Sequence, residues 1–350
     1  MLEIISKGFP SEWLWQKYNN NFIQTITHAI GKKFNKQKNL FIDTTWFGPT
    51  FKTGAYEKAL TYARKIDNLF LYASVDPLYM SPPDYDQFIE LMGKVNVFKI
   101  GNFDHSAYEF NFFAPVLAQE FLEYENEDLL LTKIKHKFIN YNRKPRFHRV
   151  DLIKKILQHE LDKFGLLTIG KPDPTYDLDP NNKLFLSLGE KAEDYVSAGH
   201  WHDLSQPDPT GIPHDVLSLH RLEYWQHHFL NVVGATMFYP TDDIFVSETQ
   251  FKPILGLRPF VINGNTKTYQ WLRDRGFKTF NHYFDFADLE NNQSNRVHDE
   301  IIKVLHWVCK TDDDILLKMY NEMLPDLIHN QKHFYEYSKE QNNKVKTMFA

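Results

Sequence analysis

The sequence predicts an α/β protein made of two Rossmann-like domains that face each other across a cleft. Three observations predict it. Short apolar runs alternate with amphipathic segments between residues 39 and 100, and a second series of the same kind runs from Lys137 to Gly276. Strand, helix, strand order calls for parallel pairing with helices on the sheet faces. The 350 residues, 42% hydrophobic and 24% charged, suffice for two such domains and exclude a disordered or collagen-like chain.

The first strand is expected at 39–47, where Leu40, Phe41 and Ile42 run into Asp43 and Thr44. A helix over 55–66 carries Tyr56, Ala59, Leu60, Ala63 and Ile66 on one face. Strand 69–73, helix 84–92 opened by Pro82 and Pro83, and strand 95–100 complete the first series. Past the acidic, apolar stretch 117–131, the second series begins with strand 137–141 and a helix over 147–164, with Pro145 before it and Gly165 to end it. Strand 166–169 precedes a Pro-, Asp- and Gly-rich connection over 171–213. Strands 229–233 and 244–246, a short helix from Glu248, strand 259–262 and helix 268–275, stopped by Gly276, follow. The domains are therefore placed at 1–130 and 131–325, with a helical segment over 326–350 on which Phe334, Tyr335 and Tyr337 dock.

Subtracting 45 acids from 40 bases leaves a net charge of −5, which excludes a surface that binds polyanions everywhere. A phosphate site must be local. The single cysteine, Cys309, lies on a helix-like face and suits a reducing, cytoplasmic setting. The first 20 residues are too broken by Pro10, Ser11 and Glu12 for a signal or spanning segment, so no integral membrane association is expected.

Gly165 to Lys171 spells a P-loop pattern, but Pro172 stands where the magnesium hydroxyl belongs and 166–169 reads as strand. Neither a dinucleotide glycine fingerprint nor a nucleophile elbow occurs. Three D-x-D pairs (84–86, 177–179, 312–314) and the loop histidines His200, His202 and His214 keep open a metal-dependent transferase or hydrolase. Residues 133–155 hold nine Lys and Arg against Asp151 alone, which keeps open nucleic-acid binding. Within that stretch Arg143, Arg146 and Arg149 fall where a strand turns into a helix N-terminus, a place that already favours an anion. Ser247 and Gln250 fit a capping box, while Glu248 at the same helix start suits two ribose hydroxyls and Lys252 a phosphate.

Together these stretches resemble the C-terminal half of GT-B glycosyltransferases, most closely the fucosyltransferase-like superfamily with its phage and marine bacterial sugar transferases. The matching pieces are Asn142-Arg143-Lys144-Pro145-Arg146, Ser247-Glu248, Phe251-Lys252-Pro253, the strand that ends at Asn263-Gly264, and Gly276-Phe277-Lys278-Thr279-Phe280. The resemblance covers about half the chain, from Lys137 to roughly Phe284. It implies a metal-independent transfer from a nucleotide-sugar, used as co-substrate with no cofactor, to a carbohydrate or other hydroxyl acceptor. A modified DNA base is one such acceptor. Arg146 would hold the donor diphosphate and Glu248 its ribose, with Lys252 substituting for a family lysine where Thr249 stands. The family's F-E-N motif is absent, since 229–234 reads F-L-N-V-V-G. The family base sits in a loop matched by Gly101-Asn102-Phe103-Asp104-His105, so Asp104 or His105 would take the acceptor proton, with Asp43 and Asp76 as rivals at other strand ends.

Overall fold

In the computed structural model of the chain, described for residues 2–5, 13–43, 59–73, 82–101, 108–120, 126–142, 146–169, 219, 222–238, 244–290 and 294–349, the strands form two parallel sheets. The first contains β1 (Leu2–Ile5), β2 (Asn39–Asp43), β3 (Asn68–Ala73), β4 (Asn96–Gly101) and β5 (Tyr108–Glu109), in that order. The second contains β6 (His136–Asn142), β7 (Gly165–Ile169), β8 (His228–Gly234) and β9 (Phe260–Asn263), in the order β7-β6-β8-β9. The chain divides into one unit of residues 1–116 and 336–350 and another of 117–335. This division falls earlier than Leu131 and returns the last residues to the first unit.

Both faces of the first sheet are covered, which is why its strands read as unbroken apolar runs. Leu40, Ile42, Leu69 and Leu71 pack with Ala59 and with Phe88 and Met92 of α2 (Pro82–Met92). Across the sheet Phe41, Phe70 and Phe98 project the other way, and Phe34, just beyond α1 (Trp13–Lys33), meets Phe70 with ring centroids 5.4 Å apart. Register is held by an asparagine ladder. Asn39, Asn68 and Asn96 stand opposite one another. The Asn96 amide donates to Asn68 Oδ1 at 3.0 Å, and the Asn68 amide to Asn39 Oδ1 at 2.8 Å. A one-residue slip would break each bond and turn the apolar set over.

α1 and β1 were not legible from the sequence, and 117–131 contains the end of α3 (Phe113–Glu120) and all of α4 (Asn126–Leu129). The helix expected over 147–164 is shorter. α5 spans Phe147–Gln158, Glu160 takes a left-handed φ of 53°, and Asp162–Phe164 form a 3-10 turn. Gly165 closes that 3-10 turn, its N–H bonded to the Asp162 carbonyl, and opens β7; a Cβ there would lie 2.3 Å from the Phe138 ring. Residues 244–246, expected as a strand, are buried and are not among the nine strands of the described residues.

The second unit is closed by α6 (Leu222–Gln226), α7 (Glu248–Leu255), α8 (Lys267–Asp274), α9 (Ser294–Lys310) and the start of α10 (Asp313–Thr347). Fully buried Arg258 ties three of these pieces together. It donates to the Leu129 carbonyl at 2.7 Å, the Leu257 carbonyl at 2.8 Å, the Trp225 carbonyl and Tyr320 Oη. Burial pulls its pKa down to about 10, so it stays a cation at neutral pH, with neutral oxygens spreading its charge. No helix among the described residues is long and apolar enough to cross a membrane.

Candidate functional site

The order β7-β6-β8-β9 reverses direction between β6 and β8. Parallel sheets open a crevice outside the carboxyl ends of strands at such a switch point. Here the chain leaves β6 at Asn142 and enters α5 through Arg146, its N-cap residue, which is extended (φ −68°, ψ 149°). The Arg146 side chain makes no cap bond to that first turn, and the leading N–H groups of a helix, with its positive end, lie at its amino terminus, here the switch point. Arg143 lies outside the described residues.

Three side chains of this turn grip three consecutive carbonyls at the end of β8 and just beyond it. Half-exposed Arg146 donates to Thr236, His148 Nε2 is 2.9 Å from the Ala235 oxygen, and Arg149 Nη2 donates to Gly234 at 2.8 Å and Ala235 at 3.0 Å. Arg149 is only 5% exposed. Its expected part in a phosphate clamp is corrected to fastening α5 onto the β8 loop, because its Nη2 already serves two backbone oxygens. Gly234 is required where it stands, since a Cβ would come 2.1 Å from Asn142 Oδ1. Asn142 is itself held by Asn140 Oδ1 at 2.6 Å and by Thr168.

The loops after β8 and β9 are joined by two backbone bonds, Ala235 N–H to Asn263 at 3.1 Å and Asn265 N–H to Met237 at 2.9 Å. Gly264 permits that approach, for a Cβ would meet Ala235 Cβ at 2.3 Å. Asn263, expected to face a ligand, is fully buried as a strut: its Nδ2 donates to the His148 carbonyl at 3.1 Å and its Oδ1 is 3.0 Å from His298 Nε2. Phe238 stacks on both imidazoles, 4.9 Å from His148 and 5.1 Å from His298.

These imidazoles are neutral. Burial, then the Arg149 charge, hold His148 well below the usual histidine value. Burial brings His298 to about 4, against the opposing pull of Asp151 and with the help of Lys155. A histidine depressed in the folded state contributes stability above its unfolded value near 6.5, and that stability is lost as pH falls toward the folded value. The melting temperature is therefore expected to drop between about pH 6.5 and pH 4, with His298 accounting for roughly 3 kcal/mol. His298→Gln should flatten this part of the profile; an unchanged slope in melting curves taken across that range would refute the assignment.

Ser247 and Gln250 form the capping box on α7: Ser247 N–H donates to Gln250 Oε1 at 3.0 Å, and Thr249 N–H contacts Ser247 Oγ. Both Ser247 and Gln250 are buried, so Ser247 serves the helix. Glu248 and Lys252 are half-buried, one helical turn apart on one face, and Thr249 lies beside them. Asp43 ends β2 and is buried. Asp104, His105, Asp76 and the His200 to His214 loop lie outside the described residues.

The basic stretch 133–155 is not one surface. Lys135 pairs with Glu223, Lys137 with Asp313 and Lys155 with Asp299, while Arg149 is buried. Lys137 lies near the amino end of β6 and Arg146 beyond its carboxyl end. The acids that answer these lysines are distant in sequence, so the run looked unopposed. His148, Phe238 and His298 were missed as well; polar residues inside apolar elements were the available signal.

No family model matches the chain, and no curated protein does. One solved structure, the alpha,alpha-trehalose 6-phosphate synthase of Burkholderia multivorans, is similar at 10% identity over 95% of this chain and 77% of that one, with a TM-score of 0.42.

Proposed function

We propose that the chain is a GT-B glycosyltransferase that moves a sugar from a nucleotide-sugar donor to an acceptor hydroxyl without a metal ion. The observation that carries this reading is the β6/β8 switch point, where the N-terminus of α5 begins at half-exposed Arg146. A diphosphate bound there receives backbone N–H bonds, the helix dipole and a fixed cation, which together stabilise it as it departs from the anomeric carbon. Glu248 binds the ribose and Lys252 a phosphate oxygen. The acceptor belongs to the first unit, with Asp104, which lies between β4 and β5 in sequence, as the base that takes its hydroxyl proton. The sugar then passes to the acceptor oxygen, and the nucleoside diphosphate leaves with the electrons of the broken bond.

The test is a thermal-shift screen of UDP, GDP, CMP and ADP sugars, with and without EDTA. A donor at about 100 times its dissociation constant should stabilise the fold by roughly 2.7 kcal/mol. Arg146→Ala should weaken that donor roughly ten- to hundredfold, the loss of one charge-assisted bond. No shift with any nucleotide-sugar would remove the donor site, and a shift that EDTA abolishes would favour the metal-dependent reading.

A further inference from the structure

We infer that His298 is a positioning residue for the anion site, acting through Asn263 on the first turn of α5; this rests on the donor site proposed above. His298 and Arg146 are separated by most of the second unit's sequence, yet two hydrogen bonds connect them to the same turn. His298 Nε2 meets Asn263 Oδ1 at 3.0 Å, and Asn263 Nδ2 donates to the carbonyl of His148 at 3.1 Å. Because the Asn263 amide nitrogen is spent on that carbonyl, its oxygen accepts, and Nε2 is the protonated nitrogen of His298.

The direction of this chain of bonds matters. A side-chain amide in a buried site can turn over and exchange its donor and acceptor ends. The exchange would set the amide oxygen against the His148 carbonyl, which can only accept, and the amide nitrogen against the Nε2–H, so His298 adds a second lock to the one the carbonyl supplies. With the amide fixed, its Nδ2 stays on the His148 carbonyl and holds the turn whose leading N–H groups point to the switch point. Phe238, stacked on both rings, ties the β8 loop to the same pair. That loop also supplies the Thr236 carbonyl that orients Arg146. His298 thus governs where the helix N-terminus and the guanidinium sit, without touching the ligand.

The experiment measures dissociation constants of UDP, GDP, CDP and ADP for the full chain and its variants, well below the melting transition. His298→Leu removes the donor and should weaken the best diphosphate about tenfold, while His298→Gln, whose amide reaches Asn263 with an N–H, should restore most of that affinity. A purely structural role would lower the melting temperature in both variants and leave the constants alike. If His298→Leu does not fold, His298→Asn, polar but too short to reach, takes its place with the same expected loss. Wild-type affinity in the leucine or asparagine variant overturns the inference. Absence of binding to the unaltered chain would instead sink the donor site itself.

Discussion

Arg258→Met is expected to destabilise the second unit by about 3 to 5 kcal/mol, a large share of the roughly 5 to 15 kcal/mol that holds a domain together. Methionine fills much of the volume but donates nothing. The carbonyls of Leu129, Trp225 and Leu257 would each be left buried without the N–H they now receive, and each orphaned acceptor costs about 1 to 3 kcal/mol, partly relieved by relaxation. Those carbonyls end α4, end α6 and follow α7, so one substitution loosens three chain segments at once. Arg258→Lys, with a single point of donation, should fall between the two. Urea midpoints followed by circular dichroism measure the loss; a methionine variant within about 1 kcal/mol of the parent would show that the guanidinium is dispensable.

Asp104→Asn is expected to reduce sugar transfer by about 10² to 10⁴ while leaving donor affinity and folding intact, the usual consequence of removing a general base. β4 ends at Gly101 and the chain pairs again at Tyr108 in β5, and Asp104 stands between them in sequence, three residues after the carboxyl end of β4. Asp43 is the rival to exclude. It is buried at the end of β2, and Asp43→Asn should appear as lost stability more than lost turnover. His105→Ala separates the imidazole from the carboxylate. Turnover near wild type in Asp104→Asn, together with collapse in Asp43→Asn, would move the base to the first loop.

The central strands of both sheets were legible because they are covered on both faces and so read as short apolar runs. α1 was not, since its apolar positions Phe22, Ile23, Ile26 and Ile30 are set among Asn, Gln, Thr and His in a segment that looked broken at its start. The length of α5 was overestimated because Leu161 and Phe164 continue its apolar spacing into a 3-10 turn. Residues 244–246 show the limit of the apolar-run signal: they are buried like a strand, but sheet pairing depends on partners that local pattern does not reveal. At the site, the capping box was read correctly from Ser247 and Gln250, and the arginine turn was found at the carboxyl end of β6. Sequence could not separate Arg146 from Arg149, because what distinguishes them is which one meets the Gly234 and Ala235 carbonyls in the interior. Asn263 looked like a ligand residue for the same reason: its partners, His148 and His298, are remote in the chain.

In the proposed reaction the donor diphosphate binds at the β6/β8 switch point. Amide hydrogen exchange, followed peptide by peptide with and without the nucleotide-sugar that stabilises the chain most, tests it most directly. Slowed exchange is expected in residues 146–150, where α5 begins, and in 235–238 beyond β8, with a smaller effect at 248–252. Protection confined to the carboxyl ends of β2, β3 and β4, with 146–150 unchanged, would contradict it.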